Sequence, residues 1–345
     1  MKKIKSGRYV TLKDVAQALG VHYSSVSLAL KNSPEIPVAT RERIKKAARE
    51  MGYEPNPMAA GLAQFRRNSR SVPVQAALAW INAWPNPKDL HRFREFDLYW
   101  QGALKSAAKF GYSLEEFIVN KEIPLSRTER ILRARNINGI LVPPHGVIPV
   151  NWDAFHWERF SAVRFGRSLE EFLPLHSVAS DQAANGLLAF REIRQKRYER
   201  IGFVGDKTER RVFVAGFLQA QLDVPETSRV PPLLFGTFDV SVDQKSFVAW
   251  LGKNKPDAIF TDVTPLPQML KEAGYRVPKD IGLAGTTVLD IDVDAGIDQH
   301  PEEIGRVAIL VLISLINDTD RGAPPIQREI LIRGKWVDGS TLPGR

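Results

Sequence analysis

The stretch GVHYSSVSLALKN, residues 20–32, predicts a short helix with two unlike sides. At about 100° per residue, Tyr23, Val26, Ala29 and Leu30 cluster on one side. Ser24, Leu28 and Lys31 point the opposite way, flanked by Ser25 and Ser27. Small hydroxyls let a helix lie close to base edges, where they donate or accept hydrogen bonds. An exposed leucine can meet a thymine methyl, and a lysine can reach a phosphate or a guanine. The chemistry these residues suit is non-covalent reading of a DNA groove. A structural three-helix cap with a polar exterior would use the same residue types, so the surrounding elements have to decide.

Those elements form a pattern. Thr11 can cap a helix that begins at residue 12, with Asp14 near its first turn. Leu12, Val15, Ala16 and Leu19 then fall on one face, and Gly20 permits a sharp turn into the second helix. A third helix over about 40–51 repeats the spacing with Ile44, Ala47, Ala48 and Met51. Three short helices sharing one core, the first two joined tightly, predict a helix-turn-helix whose second helix enters the major groove. Charge agrees. Residues 1–70 hold 14 Lys/Arg and 5 Asp/Glu, a net of +9, whereas the other 275 residues hold 34 of each sign. A basic module on a neutral body points to a polyanion partner for the module alone. Arg41, Arg43, Lys45 and Lys46 supply phosphate attraction, while the second helix supplies sequence.

The stretch VTLKDVAQALGVHYSSVSLALKNSPEIPVATRERIKKAAREMGYEPNPMAAGLA, residues 10–63, resembles the DNA-binding headpiece of the lac repressor (LacI/GalR) family. The tyrosine-x-x-valine-serine segment that opens that family's recognition helix matches Tyr23, Val26 and Ser27. The resemblance makes Tyr23 and Ser24 the main base readers. Thr11, Ser25, Ser27, Leu28, Lys31, Asn32 and Tyr53 complete the expected headpiece contacts. The family often has arginine where this chain has Leu28 and asparagine where it has Lys31, so no operator sequence carries over. After Tyr53, Asn56 is a good N-cap and Pro57 suits the first helical position. MAAGLAQF is too short to hold a helix alone. The resemblance makes it a hinge helix that folds when two subunits pair over the minor groove, with Asn56, Ala59 and Leu62 on the DNA and Leu62 as the wedge. Arg66, Arg67 and Arg70 form a basic linker.

Beyond residue 70 strand and helix signals alternate. Strands are predicted over 74–81, 137–142, 161–165, 200–205, 258–262 and 281–285, and helices over 96–110, 125–135, 181–196, 212–222 and 266–273. Alternation of this kind implies parallel sheets with helices on both faces. The resemblance implies an α/β body of two parallel-sheet subdomains, like the type I periplasmic sugar-binding proteins, with three crossings between lobes and a ligand cleft. The expected domains are a helix-turn-helix headpiece over 1–55, a hinge and linker over 56–70, and an effector-binding and dimerisation body over 71–345. One lobe is placed at about 71–193 plus 301–323, and the other at about 194–300 plus 324–345.

Seven residues are expected at the effector cleft. Asp181 and Gln299 match family cleft positions, whereas Phe213 stands where sugar-responsive relatives carry an arginine and Thr287 where they carry an aspartate. Asp262 remains near the place of an asparagine–aspartate pair. His145 follows Pro143-Pro144 at a strand end, and Trp84, with Trp80 and Trp100, can stack on a sugar ring. No phosphate loop, Gly-x-Gly-x-x-Gly or Gly-x-Ser-x-Gly occurs, and the six histidines show no metal-like spacing. The expected function is therefore a non-enzymatic DNA-binding regulator, more often a repressor than an activator in this family, with no cofactor. Its partners are a palindromic operator, a second copy of itself and a small-molecule effector of unknown identity. In an alternative, the body responds to a protein co-regulator or to no ligand. The chain has no cysteine, which fits a reducing compartment, and its longest apolar run, 307–316, reads as a buried helix rather than a membrane span. The expected location is cytoplasmic.

Overall fold

The computed structural model describes residues 12–30, 33, 35–51, 76–145, 150–167, 173–206, 212–235 and 244–345. Of the expected DNA contacts, Thr11, Lys31, Asn32, Tyr53, Asn56, Ala59 and Leu62 lie outside them, as do the linker arginines. The chain divides into two compact units, one N-terminal and one holding nearly all of residues 73–345.

The N-terminal unit contains α1 (Leu12–Leu19), α2 (Tyr23–Leu30) and α3 (Val38–Glu50). Gly20 closes α1 with a positive φ of 66°. Its N–H donates to Gln17 O, and Val21 N–H reaches back to Ala16 O at 3.1 Å. This is the Schellman arrangement, which satisfies the last carbonyls of a helix and turns the chain sharply. Val15, Ala16, Val26, Ala29, Ile44 and Ala48 form the buried core, with Leu19, Val21, Leu30, Ile36 and Met51 packed around it. The three apolar faces thus meet at the positions that the helical spacing predicts.

The body holds two six-stranded sheets. In chain order the first lobe contains β1 (Ala76–Asn82), α4 (Pro87–Arg92), α5 (Arg94–Lys109), β2 (Tyr112–Ile118), α6 (Leu125–Ala134), β3 (Gly139–Val142), β4 (Ser161–Phe165) and β5 (His176–Ser180). The second contains α7 (Gln182–Gln195), β6 (Ile201–Asp206), α8 (Phe213–Gln221), β7 (Leu233–Phe235), α9 (Gln244–Asn254), β8 (Ala258–Thr261), α10 (Leu266–Glu272), β9 (Gly282–Gly285) and β10 (Gly296–Asp298). The chain then returns as α11 (Pro301–Asp318), β11 (Glu329–Ile332) and β12 (Lys335–Val337). Strand orders are β11-β5-β4-β3-β1-β2 and β12-β10-β9-β8-β6-β7. All pairings are parallel except β10 with β12. Each sheet is covered on both faces, with two buried apolar clusters per lobe. No described helix is long and apolar enough to cross a membrane.

Two of the expected lobe boundaries move. Residues 182–193 were assigned to the first lobe, but Ala189, Phe190 and Ile193 of α7 are buried in the second lobe's core. Residues 324–332 were assigned to the second lobe, but β11 pairs with β5, Glu329 opposite Ser177 through Ile332 opposite Ser180. The crossings therefore fall near 181, 300 and 333. Asn185 ties the first to the third. Its Nδ2 donates to Ser180 Oγ at 2.9 Å, and its Oδ1 accepts the Gly334 N–H at 2.9 Å. A Cβ at Gly334 would sit within 3 Å of Ile297, Asp298 O and Asn185 Oδ1, so the close strand crossing leaves no room for a side chain.

Candidate DNA-reading helix and effector cleft

On α2 the buried side is Val26 and Ala29. Ser25 and Leu28 are half-buried and stay outside that core, so they lie away from the face that packs on α1 and α3. Tyr23, Ser24 and Ser27 are placed on α2 by its backbone alone. His22 O accepts the N–H groups of Ser25 at 3.0 Å and Val26 at 3.4 Å, which starts the helix directly after the turn. On α3, Arg43, Lys46 and Arg49 are exposed. Lys45 donates to Glu42 at 3.0 Å, and that bond holds the Glu42 carboxyl below the usual range. The exposed guanidinium and ammonium groups give the unit the positive field that phosphate attraction needs.

In the body the seven expected cleft residues do not form one open pocket wall. Trp84 is half-buried, donates Nε1–H to Pro144 O at 2.8 Å, and packs against Phe93 and Phe96 at ring distances of 5.8 and 6.2 Å. His145 is buried with its ring 5.5 Å from Trp152, and burial pushes its pKa down to about 4, so it is neutral at pH 7. Asp181 caps α7 by accepting the Ala184 N–H at 3.1 Å, and the Arg333 guanidinium stands 3.9 Å away. Asp262 sits just past the end of β8 with its N–H on Val204 O. Thr287 Oγ1 accepts from Leu289 N at 3.2 Å. Gln299 is buried and donates to Thr286 O at 3.0 Å.

Phe213 corrects the expectation. It is 1% exposed and belongs to the core of the second lobe, with Phe260 at a ring distance of 6.2 Å. As the first residue of α8, its ring turns inward between the helix and the sheet rather than toward a ligand. Trp80 is likewise fully buried, edge-on to Trp100 at 5.4 Å, so both rings serve the first lobe's packing.

A groove of about 520 Å³ does exist, within the size range of small-molecule sites. Its walls include Trp84, Pro85, Val119, Leu125, Val150 and Ala154, all from the first lobe. It opens beyond the carboxyl ends of β1 and β2, where open parallel sheets commonly bind ligands. Of the seven expected residues, only Trp84 lines it. The loop 119–124 between β2 and α6 was missed because an edge strand with adjacent glutamates gives a weak strand signal.

Comparison with known proteins places these two parts. Residues 11–56 match the family described as bacterial regulatory proteins, lacI family, and residues 190–342 match the periplasmic binding protein-like domain. The HTH-type transcriptional regulator MalR of Streptococcus pneumoniae is 24% identical over 335 residues, 93% of this chain and 97% of that protein. The HTH-type transcriptional repressor CytR of Escherichia coli is 25% identical over 353 residues, 97% of this chain and 98% of that one. Among solved structures, the lac repressor dimer bound to operator and the anti-inducer ONPF has a TM-score of 0.54 at 17% identity, covering 97% of this chain and 100% of that one. A complex of the transcriptional regulator CelR with cellobiose has a TM-score of 0.54 at 19% identity, covering 96% and 99%. At those identities the structures speak for the fold. With a lacI-family DNA-binding headpiece over residues 11–56 and a periplasmic-binding-protein-like domain over residues 190–342, the chain has the build of a DNA-binding transcriptional regulator of the lacI family.

Proposed function

We propose that this regulator is a repressor that binds a palindromic operator as a homodimer, reads it with α2, and adjusts its grip through a body that takes a small molecule. The observation that carries this reading is the division of labour on α2. Val26 and Ala29 are spent on the core, which leaves the hydroxyl side and Leu28 for a groove. Two-fold pairing doubles such a helix and matches a two-fold site. The solved lac repressor dimer bound to operator supports the same arrangement, and CytR is itself named a repressor.

Leu62 is the proposed minor-groove wedge. Selection of bound sequences from random DNA, with and without candidate metabolites, should return one two-fold motif. On that motif, Leu62→Ala should weaken binding by a few kcal/mol, in line with the unstacking that a wedge repays. Binding to unrelated DNA, driven by phosphates, should change little. Equal losses on both DNAs would remove the wedge role, and failure to enrich any motif would overturn the reading as a whole.

A further inference from the structure

The two lobes touch away from the three crossings at the start of α5. This helix is 16 residues long and begins with Phe93 at its N-cap, a residue that can offer no side-chain acceptor. Its first amides would be left without partners. The acceptor comes from the other lobe. Asp290, in the loop between β9 and β10, takes the Arg94 N–H on Oδ1 at 2.8 Å and the Glu95 N–H on Oδ2 at 3.2 Å. The carboxylate thus spans two successive amides, 196 and 195 residues away in the chain, at the positive end of a helix. A weaker contact stands beside it. Gln299 Nε2, held by Thr286 O in the second lobe, reaches Glu95 Oε2 at 3.5 Å, the outer limit of a hydrogen bond.

We propose that Asp290 is a latch that closes the two lobes on each other without a bridging ligand. In a two-lobed binding body, something must hold the closed arrangement against the freedom of hinged segments. A ligand that touches both lobes can do so. Here a side chain of the second lobe completes a helix of the first, and opening the lobes would strip α5 of its cap and expose the Asp290 carboxylate together. The closed state is therefore written into the chain. A small molecule would meet lobes already joined and shift their balance only by preferring one arrangement to the other. The inference concerns lobe closure and stands whether or not the chain represses.

The absence of cysteine allows a direct test on the full chain. Lys109→Cys and Lys253→Cys place one spin label on each lobe at exposed positions. The labelled protein is diluted with unlabelled chain and measured by pulsed electron resonance with no small molecule added. The parent should show a single short distance. Asp290→Ala should add a second, longer one, with the open-to-closed ratio raised about tenfold, the scale of one charge-assisted contact. Asp290→Asn keeps one acceptor but no charge and should fall between them. A thermal melt of each variant checks that the body still unfolds in one cooperative step, and the milder Asn variant carries the test if Ala does not fold. The latch is overturned if all three share one distance distribution, or if the parent already populates the long distance as fully as Asp290→Ala.

Discussion

Burial at His145 fixes a charge state that the residue type alone would leave open. The ring follows Pro143-Pro144 at the end of β3, is 4% exposed, and has its pKa lowered to about 4 from 6.5. Because the folded value lies below the unfolded one, the unfolded chain binds the proton first. Stability is complete above pH 6.5 and falls as the pH drops from 6.5 to 4, by about 3 kcal/mol through this residue. His176 is also lowered, by burial and by Arg328, and adds a slope of the same sign. Urea unfolding at several pH values should therefore show a shallower acid loss in His145→Gln than in the parent. Identical slopes would mean that His145 is not the buried neutral group described. On the headpiece, Leu28 is proposed to face a base. Arginine there can bridge guanine O6 and N7, a discrimination of about 1–3 kcal/mol. Leu28→Arg should thus shift one half-site position toward guanine in a selection from random DNA. An unchanged motif would show that residue 28 does not face the bases.

The elements show what a sequence can and cannot announce. The three headpiece helices are local and amphipathic, so spacing alone places Val15, Val26 and Ile44 in one core. Strand β4 is buried at all five positions, and the prediction for 161–165 matches it end to end. Strands β5 and β11 went unread for a different reason. In β5, HSVAS, the buried His176, Ser177 and Ser180 look unlike core residues. Two of them bond to a strand far along the chain, with Arg328 N–H on His176 Nδ1 at 3.0 Å and Ser177 N–H on Arg328 O, while Asn185, five residues on, donates to Ser180 Oγ. No local pattern encodes contacts about 150 residues away. The same limit explains Phe213: its place in the chain fits a cleft position, but only the packing of α8 against the sheet turns it inward. Headpiece cooperativity gives a test at this scale. Ile44 is fully buried in a small core, so Ile44→Ala should cost about 2–5 kcal/mol. A core of that size has little reserve. Calorimetry should show the headpiece transition lowered or lost while the body's transition stays in place. One shared shift of both transitions would mean that the two units do not unfold separately.

At the scale of the whole molecule, charge and cavity are assigned to different ends. The entire excess of +9 lies within the first 70 residues, and the body is balanced. Affinity for DNA should therefore follow the N-terminal segment, and selectivity for an effector should follow a nearly neutral body. Among the described residues, several of the expected sugar-contacting positions are already engaged. Phe213 is in the core, Thr287 and Gln299 are held by backbone groups, and Asp181 is engaged as a helix cap. The position that would carry a guanidinium fork lacks the paired hydrogen bonds that fix vicinal hydroxyls or a carboxylate. The first lobe's groove is walled by Trp84, Pro85, Val119 and Leu125, with Asn120, Lys121, Glu122, Ser126 and Asn151 also lining it, a largely apolar surface with polar groups that suits a larger, amphipathic molecule. Plain hexoses and purines are thus expected to bind weakly or not at all. A calorimetric screen decides the matter with two variants. Asp181→Asn keeps the cap on α7 while removing the charge, and Asp181→Ala removes both. Micromolar binding of a simple monosaccharide to the parent, reduced in the Asn variant and lost in the Ala variant, would sink the expectation and return Asp181 to a sugar-binding role.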